Sequence, residues 1–404
     1  MEKMEIRTKQ IKPIHPFPAR MAPDLAIQAL QNLPVGSRVL DPMAGSGTVL
    51  RHAASQGHKA IGRDLDPLAV LMTRVWNTPF NSVKLQQQLH LVQQWVDELP
   101  ASIELPWIDR DEETRAFVEY WFAKEQQEPL RRIAYVLFNM ECYNRTSDVE
   151  LDILRVALSR IIITKNQGAS LARDTSHSRP HRVSLKSEYD VWKGFERSVH
   201  RVQDILEQSP PQGGVEIEVG DTRALDLENS SIDLVLTSPP YLNAIDYMRG
   251  HRMSLVWLGH SLGNLRRIRS KSIGAERGPD LGSASSLFDE IREDMCGGSV
   301  LSTRHTAMVT RYAEDIYWMM SELSRVITNK GQAILVVGNS CLKGSFIKNS
   351  AGVARAGALV GLRLVQEVER ELPSQSRYLP MPSQLDAPFG RRMRTETILT
   401  FVRA

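Results

Sequence analysis

The sequence predicts an α/β fold with a doubly wound sheet, interrupted by a mainly helical insert. Three observations carry this. Short apolar strand-like runs alternate with helical stretches at both ends of the chain. A Gly-rich turn follows the first such run, as at a nucleotide-binding strand–helix corner. Between about 80 and 210 the strand signals thin out and long helical stretches replace them.

Taken in order, Asp24 is expected to cap a helix running to about Asn32, and Arg38–Asp41 reads as a short buried strand. A helix from about Ser46 to Gln56 follows the glycine turn, and Lys59–Asp64 reads as a second strand. Asp66-Pro67 opens a second helix, with an N-cap and Pro at its first position. Helices are expected over Val83–Leu99, Glu112–Glu125 and Val149–Ile163, and residues 166–187 read as a polar, basic loop. Strands return at Val215–Val219 and Ile232–Leu236; a helix over Tyr312–Thr328 precedes a strand at Ala333–Val337. Arg363–Arg370 and Thr395–Phe401 close the pattern as strands. The expected division is a discontinuous core, 1–79 and 212–404, around an insert, 80–211.

The chain has 404 residues, 42% hydrophobic and 24% charged, which suits a globular protein with a sizeable core. Cys142, Cys296 and Cys341 lie far apart, which argues against a disulfide framework or a zinc knuckle and fits a reducing compartment. No metal site is expected. No apolar run approaches membrane-spanning length and the N-terminal residues lack an apolar signal region, so a cytoplasmic protein is expected. The net charge of +3 decides little, but its placement is uneven. Residues 97–152 carry a local net of −8, whereas 155–201 and 249–278 each carry +6. Clustered basic charge is the footprint of a polyanion partner; a solvated surface is the plainer reading of one such block alone.

Two motifs carry chemistry. In Val39-Leu-Asp-Pro-Met-Ala-Gly-Ser-Gly-Thr48, Gly45 and Gly47 permit a tight turn and close approach of a ligand to the main chain. Asp41 can accept from an ammonium or amide group. Asp64, 19 residues after Gly45, stands where an acid grips ribose hydroxyls. Position 50 is Leu, so the third glycine of a pyrophosphate-binding turn is missing; this points to a nucleoside without phosphates. Asp66 competes for the ribose role, with the helix N-cap as its preferred reading. The second motif is Asp233-Leu-Val-Leu-Thr-Ser-Pro-Pro-Tyr241. Its prolines stiffen a turn and lack N–H groups, leaving carbonyls to accept. Ser238 and the carbonyl of Pro239 could accept from the exocyclic amine of a planar base, with Pro240 holding the turn and the Tyr241 ring stacking on the base. A proline turn beside a core tyrosine is the plainer alternative.

DPMAGSGT (41–48) together with TSPPY (237–241) resembles the S-adenosylmethionine-dependent amino-methyltransferases of DNA, and the SPPY form looks most like the cytosine-N4 branch. The resemblance implies a Rossmann-like class I methyltransferase fold, S-adenosyl-L-methionine as cofactor, and a flipped base in DNA as substrate. It places Asp41, Pro42, Ala44, Gly45, Gly47 and Thr48 at the cofactor. It likens His15-Pro-Phe17, within His15–Pro23, to the segment over the cofactor's methionine end, Asp64 to the ribose acid, and Asp221 of Gly220-Asp221 to the acid near adenine. Two departures stand out. The cofactor motif precedes the catalytic motif, the reverse of the usual cytosine-N4 order, and a helical insert of about 130 residues separates them. Adenine-N6 therefore stays open as the acceptor. An RNA base-amine methyltransferase and a catalytically silent DNA-binding regulator are the other readings.

Phosphate contacts are expected from Arg179 and Arg182 in the insert, which would then take part in target recognition, and from Arg266, Arg267, Arg269 and Lys271. A restriction endonuclease partner, if the protein serves restriction–modification, would be a separate chain. The segment after the turn, Leu242–Arg249, either closes over the base or packs as a helix. Trp192, Phe195 and Val199 are expected in the core, as are Asp315, Trp318 and Leu323 on one helix face; Arg391, Arg392 and Arg394 read as a loop.

Overall fold

The structure, a computed structural model, describes residues 11–16, 21–144, 148–164, 167–173, 180–242, 247–274, 286–342, 345–371 and 395–404, without the side chains of 141–144. Arg391, Arg392 and Arg394 lie outside the described residues, as do Phe17 and Arg179.

The elements in chain order begin with α1 (Pro23–Leu30), β1 (Arg38–Asp41), α2 (Thr48–Ser55), β2 (Lys59–Asp64) and α3 (Pro67–Asn77). The helical stretch comprises α4 (Ser82–Glu98), α5 (Pro106–Asp109), α6 (Glu112–Trp121), α7 (Lys124–Asn144), α8 (Val149–Ile162) and, after the short strands β3 (Ala172–Arg173) and β4 (His181–Arg182), α9 (Val191–Gln208). Then come β5 (Val215–Val219), β6 (Ile232–Thr237), α10 (Tyr247–Leu255), α11 (Leu262–Lys271), α12 (Ser286–Cys296), α13 (Thr303–Val326), β7 (Ile327–Gly338), β8 (Ser340–Leu342), β9 (Ser345–Ile347), α14 (Asn349–Leu359), β10 (Leu362–Glu371) and β11 (Thr395–Arg403).

Seven strands form one sheet in the order β10-β11-β7-β6-β1-β2-β5. The pairs from β7 to β5 are parallel, and β11 runs antiparallel between β7 and β10. The chain builds outward from β1 through β2 to β5, then restarts on the other side with β6 and β7. The sheet therefore has its switch point between β1 and β6, where α/β folds open a crevice at the carboxyl ends of the strands.

The period-2 alternation sorts the strand residues onto two faces. Val39, Leu234 and Leu236 pack with Leu30, Val49 and Leu50 of α1 and α2. Leu40 and Val235 pack on the opposite face with Ile316, Met320 and Val353 of α13 and α14. This is a doubly wound, Rossmann-like α/β fold. A third core is helical and does not stop at the expected insert boundaries: Leu85, Leu137, Leu154 and Phe195 share it with Met72 and Trp76 of α3 and with Met253, Trp257 and Leu265. Helix α8 is buried nearly all round, Glu150, Asp152 and Ser159 included, as suits a helix surrounded by others.

Several boundaries differ from expectation for local reasons. Helix α1 starts at Pro23, since the residue before a proline stays extended and Ala22 does so (ψ 127°); Asp24 falls inside the first turn instead of capping it. The expected helix Glu112–Glu125 breaks at Phe122, whose extended backbone drives its ring into the core edge-on to Trp257, 4.9 Å away. The basic loop contains a β3–β4 pairing, Ala172 opposite Arg182. Trp318 sits outside the helix face that buries Asp315 and Leu323, with 47% of its surface exposed. Phe195 and Val199 are fully buried, and Trp192 packs on their core.

Candidate active site

The two motifs meet at the switch point. Asp41 ends β1 and Thr237 ends β6, and the Thr237 hydroxyl donates to Asp41 Oδ1 at 2.7 Å. The Met43 N–H donates to the same oxygen at 3.3 Å. Burial pushes the Asp41 carboxyl up to about 7, and Asp64 nearby adds to this; the two donors pull the other way.

The turn after β1 has Gly45 at φ 50° and Gly47 at φ 80°, backbone conformations that disfavour a side chain. At Gly47 the crowding comes from within the protein, because a Cβ would lie 2.7 Å from Thr73 Oγ1. Close approach there is by α3 rather than by a ligand. Pro42, Ala44 and Thr48 are also buried, while Gly45 and Ser46 form the accessible crest of the turn.

Asp64 accepts the Gly45 N–H at 2.8 Å through Oδ2 and the Asp66 N–H at 2.9 Å through Oδ1. Burial and then the Asp66 charge raise its carboxyl to about 6. Asp66 caps α3 as expected, accepting from Leu68 N–H at 2.9 Å, and also meets Nδ1 of His251 on α10. Burial alone would raise the Asp66 carboxyl, but His251 and the main-chain donors outweigh it and hold it below the usual range. The Gly220 N–H donates to the Asp64 carbonyl at 3.0 Å, which sets Asp221 at the adjacent strand end. Arg223 grips Asp221 at 2.7 Å and reaches Asp315 of α13 and the Lys271 carbonyl of α11. Burial works against the charge on Asp221, yet these bonds keep its carboxyl below the ordinary value.

Beyond β6, the Ser238 hydroxyl donates to the Val336 carbonyl of β7 at 3.0 Å. Its single hydrogen is thereby committed and its lone pairs remain acceptors. The Pro240 carbonyl is taken by the hydroxyl of Tyr312, a fully buried side chain of α13, at 3.0 Å. The Tyr241 ring lies against Gly338 at the end of β7, where a Cβ would come within 2.8 Å of it.

His15 packs against the helical layer, with Nε2 at 2.9 Å from Ser159 Oγ of α8 and Nδ1 at 2.8 Å from the Pro16 carbonyl. Arg182 lies over the exposed Tyr120 ring, 4.7 Å from its centroid. On α11, Leu262 and Leu265 face inward, while Arg266, Arg267, Arg269 and Lys271 are exposed. Arg266 pairs with Glu113 of α6, and Arg267 contacts Asn264 at 3.3 Å. The Lys271 carbonyl joins this basic helix to the Asp221 network.

Sequence reasoning passed over Thr237, Tyr312, His251, Arg223 and Gly338 as site residues. Thr237 stood inside the quoted motif and its position at a strand end was a signal. Arg223 stood two residues after Asp221 in the same turn, and nothing local marked Tyr312, His251 or Gly338.

Asp41, Asp64 and Asp221 thus stand at the carboxyl ends of three adjacent parallel strands, with the glycine turn between the first two. Three carboxylates suit a ligand bearing a cation, a diol and an amine, and repel a pyrophosphate. Among the described residues, no group of three or more His, Cys, Asp or Glu side chains is arranged to hold a metal ion. Nor is any helix among them long and apolar enough to cross a membrane.

No protein-family model matches the chain. It is similar to the Type II methyltransferase M.MvaI of Kocuria varians, 24% identical over 274 residues, covering 60% of this chain and 56% of the relative. It is also similar to the Type II methyltransferase M.MjaII of Methanocaldococcus jannaschii, 28% identical over 147 residues, covering 36% of this chain and 25% of the relative. The matched part of the chain thus spans about half the length of the first relative and a quarter of the second. Among solved structures, a TehB-like SAM-dependent methyltransferase from Corynebacterium glutamicum superposes with a TM-score of 0.30 at 9% identity, covering 95% of this chain and 87% of that one. Geranyl diphosphate C-methyltransferase from Streptomyces coelicolor gives 0.34 at 7% identity, covering 94% and 80%.

Proposed function

We propose that the protein is an S-adenosylmethionine-dependent DNA methyltransferase that modifies the exocyclic N4 amine of cytosine. The observation that carries this reading is the junction of the two motifs at one sheet crevice, Asp41 bonded to Thr237 beside Ser238. The similarity to two proteins named Type II methyltransferases supports it.

The acids fit the cofactor in order along the strand ends. Asp41 would face the ammonium of its methionine end, Asp64 the ribose hydroxyls, and Asp221, steadied by Arg223, the adenine. Bound there, S-adenosylmethionine supplies a methyl on a sulfonium, which leaves as a neutral thioether. The chain's own residues align the acceptor. Ser238 Oγ and the Pro239 carbonyl would hold the amine hydrogens and aim the nitrogen lone pair, while the Tyr241 ring stacks on the base. Alignment and fixed dipoles in a closed crevice supply the rate, and no covalent intermediate is required. The target amine lies inside a duplex, so the base is flipped out to reach Ser238. The exposed basic face of α11 would grip the backbone beside the crevice, and Arg182 would contribute through its edge over Tyr120. A separate restriction endonuclease and a cytoplasmic setting complete this reading.

Purified protein with methyl-labelled cofactor and duplex DNA, single-stranded DNA or RNA provides the test, with the product digested to nucleosides for mass spectrometry. N4-methylcytosine from DNA is expected. N6-methyladenine, which the order of the motifs leaves open, would overturn the base and keep the site. Label in RNA alone would overturn the DNA substrate.

A further inference from the structure

His251 belongs to no motif and is not among the groups assigned to cofactor or base above. It is 5% exposed and its partner Asp66 is 8% exposed, so the contact is buried on both sides. Asp66 uses one oxygen to cap α3 and the other to meet His251 Nδ1. The main-chain N–H of Asp66 donates to Asp64 Oδ1, and the other Asp64 oxygen accepts from Gly45. A continuous line of hydrogen bonds therefore runs from the glycine turn, through Asp64 and Asp66, to α10.

Helix α10 stands between two bodies. It is the next element after the turn 237–241. It also reaches into the helical layer: Ser254 donates to the Ser159 carbonyl of α8 at 3.3 Å, and Arg252 lies over the Phe117 ring of α6 at 5.1 Å. The His251–Asp66 bond joins α10 to the acids at the crevice.

We propose that His251 is a positioning residue that couples cofactor seating at Asp64 to the placement of α10. The inference rests on the cofactor reading above. Ribose hydroxyls binding Asp64 would add donors to a carboxylate already oriented by the Asp66 N–H. Asp66 in turn is oriented by His251, because its cap oxygen and its histidine oxygen belong to one rigid plane. A buried carboxylate that loses a hydrogen-bond partner must move or take up a proton, and either change reaches Asp64 two residues away. Coupling of this kind is reciprocal: the cofactor steadies α10, and a docked α10 tightens the cofactor.

The test uses the full chain and S-adenosylhomocysteine as the probe. Affinity is measured by calorimetry, and hydrogen exchange is followed in residues 247–255 with and without the probe. His251→Asn keeps an N–H near the Nδ1 position; His251→Ala removes it. Thermal unfolding shows whether each variant is folded, and Asp66→Asn, which retains a cap, serves if His251→Ala is not. The wild type should gain protection across α10 on binding. His251→Ala should bind about tenfold more weakly and lose that protection, with His251→Asn keeping most of both. A folded His251→Ala with unchanged affinity and protection would overturn the coupling while leaving the cofactor reading intact. A wild type that does not bind the probe at all would overturn the cofactor reading, and the coupling with it.

Discussion

The Thr237 hydroxyl and Asp41 Oδ1 are 2.7 Å apart, which ties the last residue of β6 to the last residue of β1 across 196 positions of sequence. This bond partly offsets the burial that raises Asp41. Thr237→Val keeps the shape and removes the donor, so the carboxyl should rise above about 7. Affinity for a cationic cofactor should fall several-fold at pH 7 and recover near pH 9, where Asp41 is ionised again. Calorimetric titration across that range checks it. An equal loss at every pH would show that charge on Asp41 is not what the ligand senses.

The raised carboxyls also set the sign of a stability change. Asp41 stands at about 7 and Asp64 at about 6, against 3.8 for each in an exposed chain. Between about pH 4 and pH 7 these groups hold more protons in the native state than in the unfolded one. Their contribution to the stability of the cofactor-free protein therefore declines as pH rises through that window. Asp41→Asn should remove its share, adding up to roughly 4 kcal/mol at pH 8 relative to wild type and little at pH 4. Urea unfolding of both proteins at the two pH values measures the difference, and a gain that is equal at both would contradict it.

Tyr312 holds the Pro240 carbonyl from a fully buried position, so it acts on the turn and not on the cofactor. Tyr312→Phe should lower kcat by about tenfold, leave cofactor affinity unchanged and destabilise the fold by about 1 kcal/mol. Steady-state kinetics beside binding measurements separate these effects.

Gly338 leaves room for the Tyr241 ring, and a Cβ there would approach it to 2.8 Å. The neighbouring contact is the ring itself, so Gly338→Ala should displace Tyr241. The expected result is a raised KM for DNA and a lower kcat, with cofactor binding intact. A variant with wild-type kinetics would remove Tyr241 from the base-stacking role.

Arg267 and Lys271 are exposed on α11, whereas Arg266 is paired with Glu113. Replacing Arg267 and Lys271 together by Ala should reduce the slope of log affinity against log salt by about 2, and Arg266→Ala by less. Fluorescence anisotropy over a salt series decides this. An unchanged slope would place the DNA on another surface.

What the sequence by itself determined is local. The strands Arg38–Asp41, Lys59–Asp64 and Val215–Val219 begin and end where alternation and flanking turns predict, because each depends on a handful of neighbouring residues. The cap at Asp66 was legible for the same reason: a carboxylate before Pro67 finds its N–H donor two residues on. The two motifs could be named as candidates, since each keeps its reacting groups within ten residues. Only the tertiary structure decided which distant groups complete them. His251 reaches Asp66 across 185 positions, Tyr312 reaches Pro240 across 72, and Arg223 reaches Asp315 across 92. Such pairs leave no periodic trace, because they form only when separate helices are laid against the ends of a finished sheet. The same holds for the helical core, where α10 and α11 join the insert's helices although the chain returns to the sheet between them. Apolar faces buried each other there irrespective of sequence order, since the hydrophobic effect acts on exposed area and carries no direction along the chain.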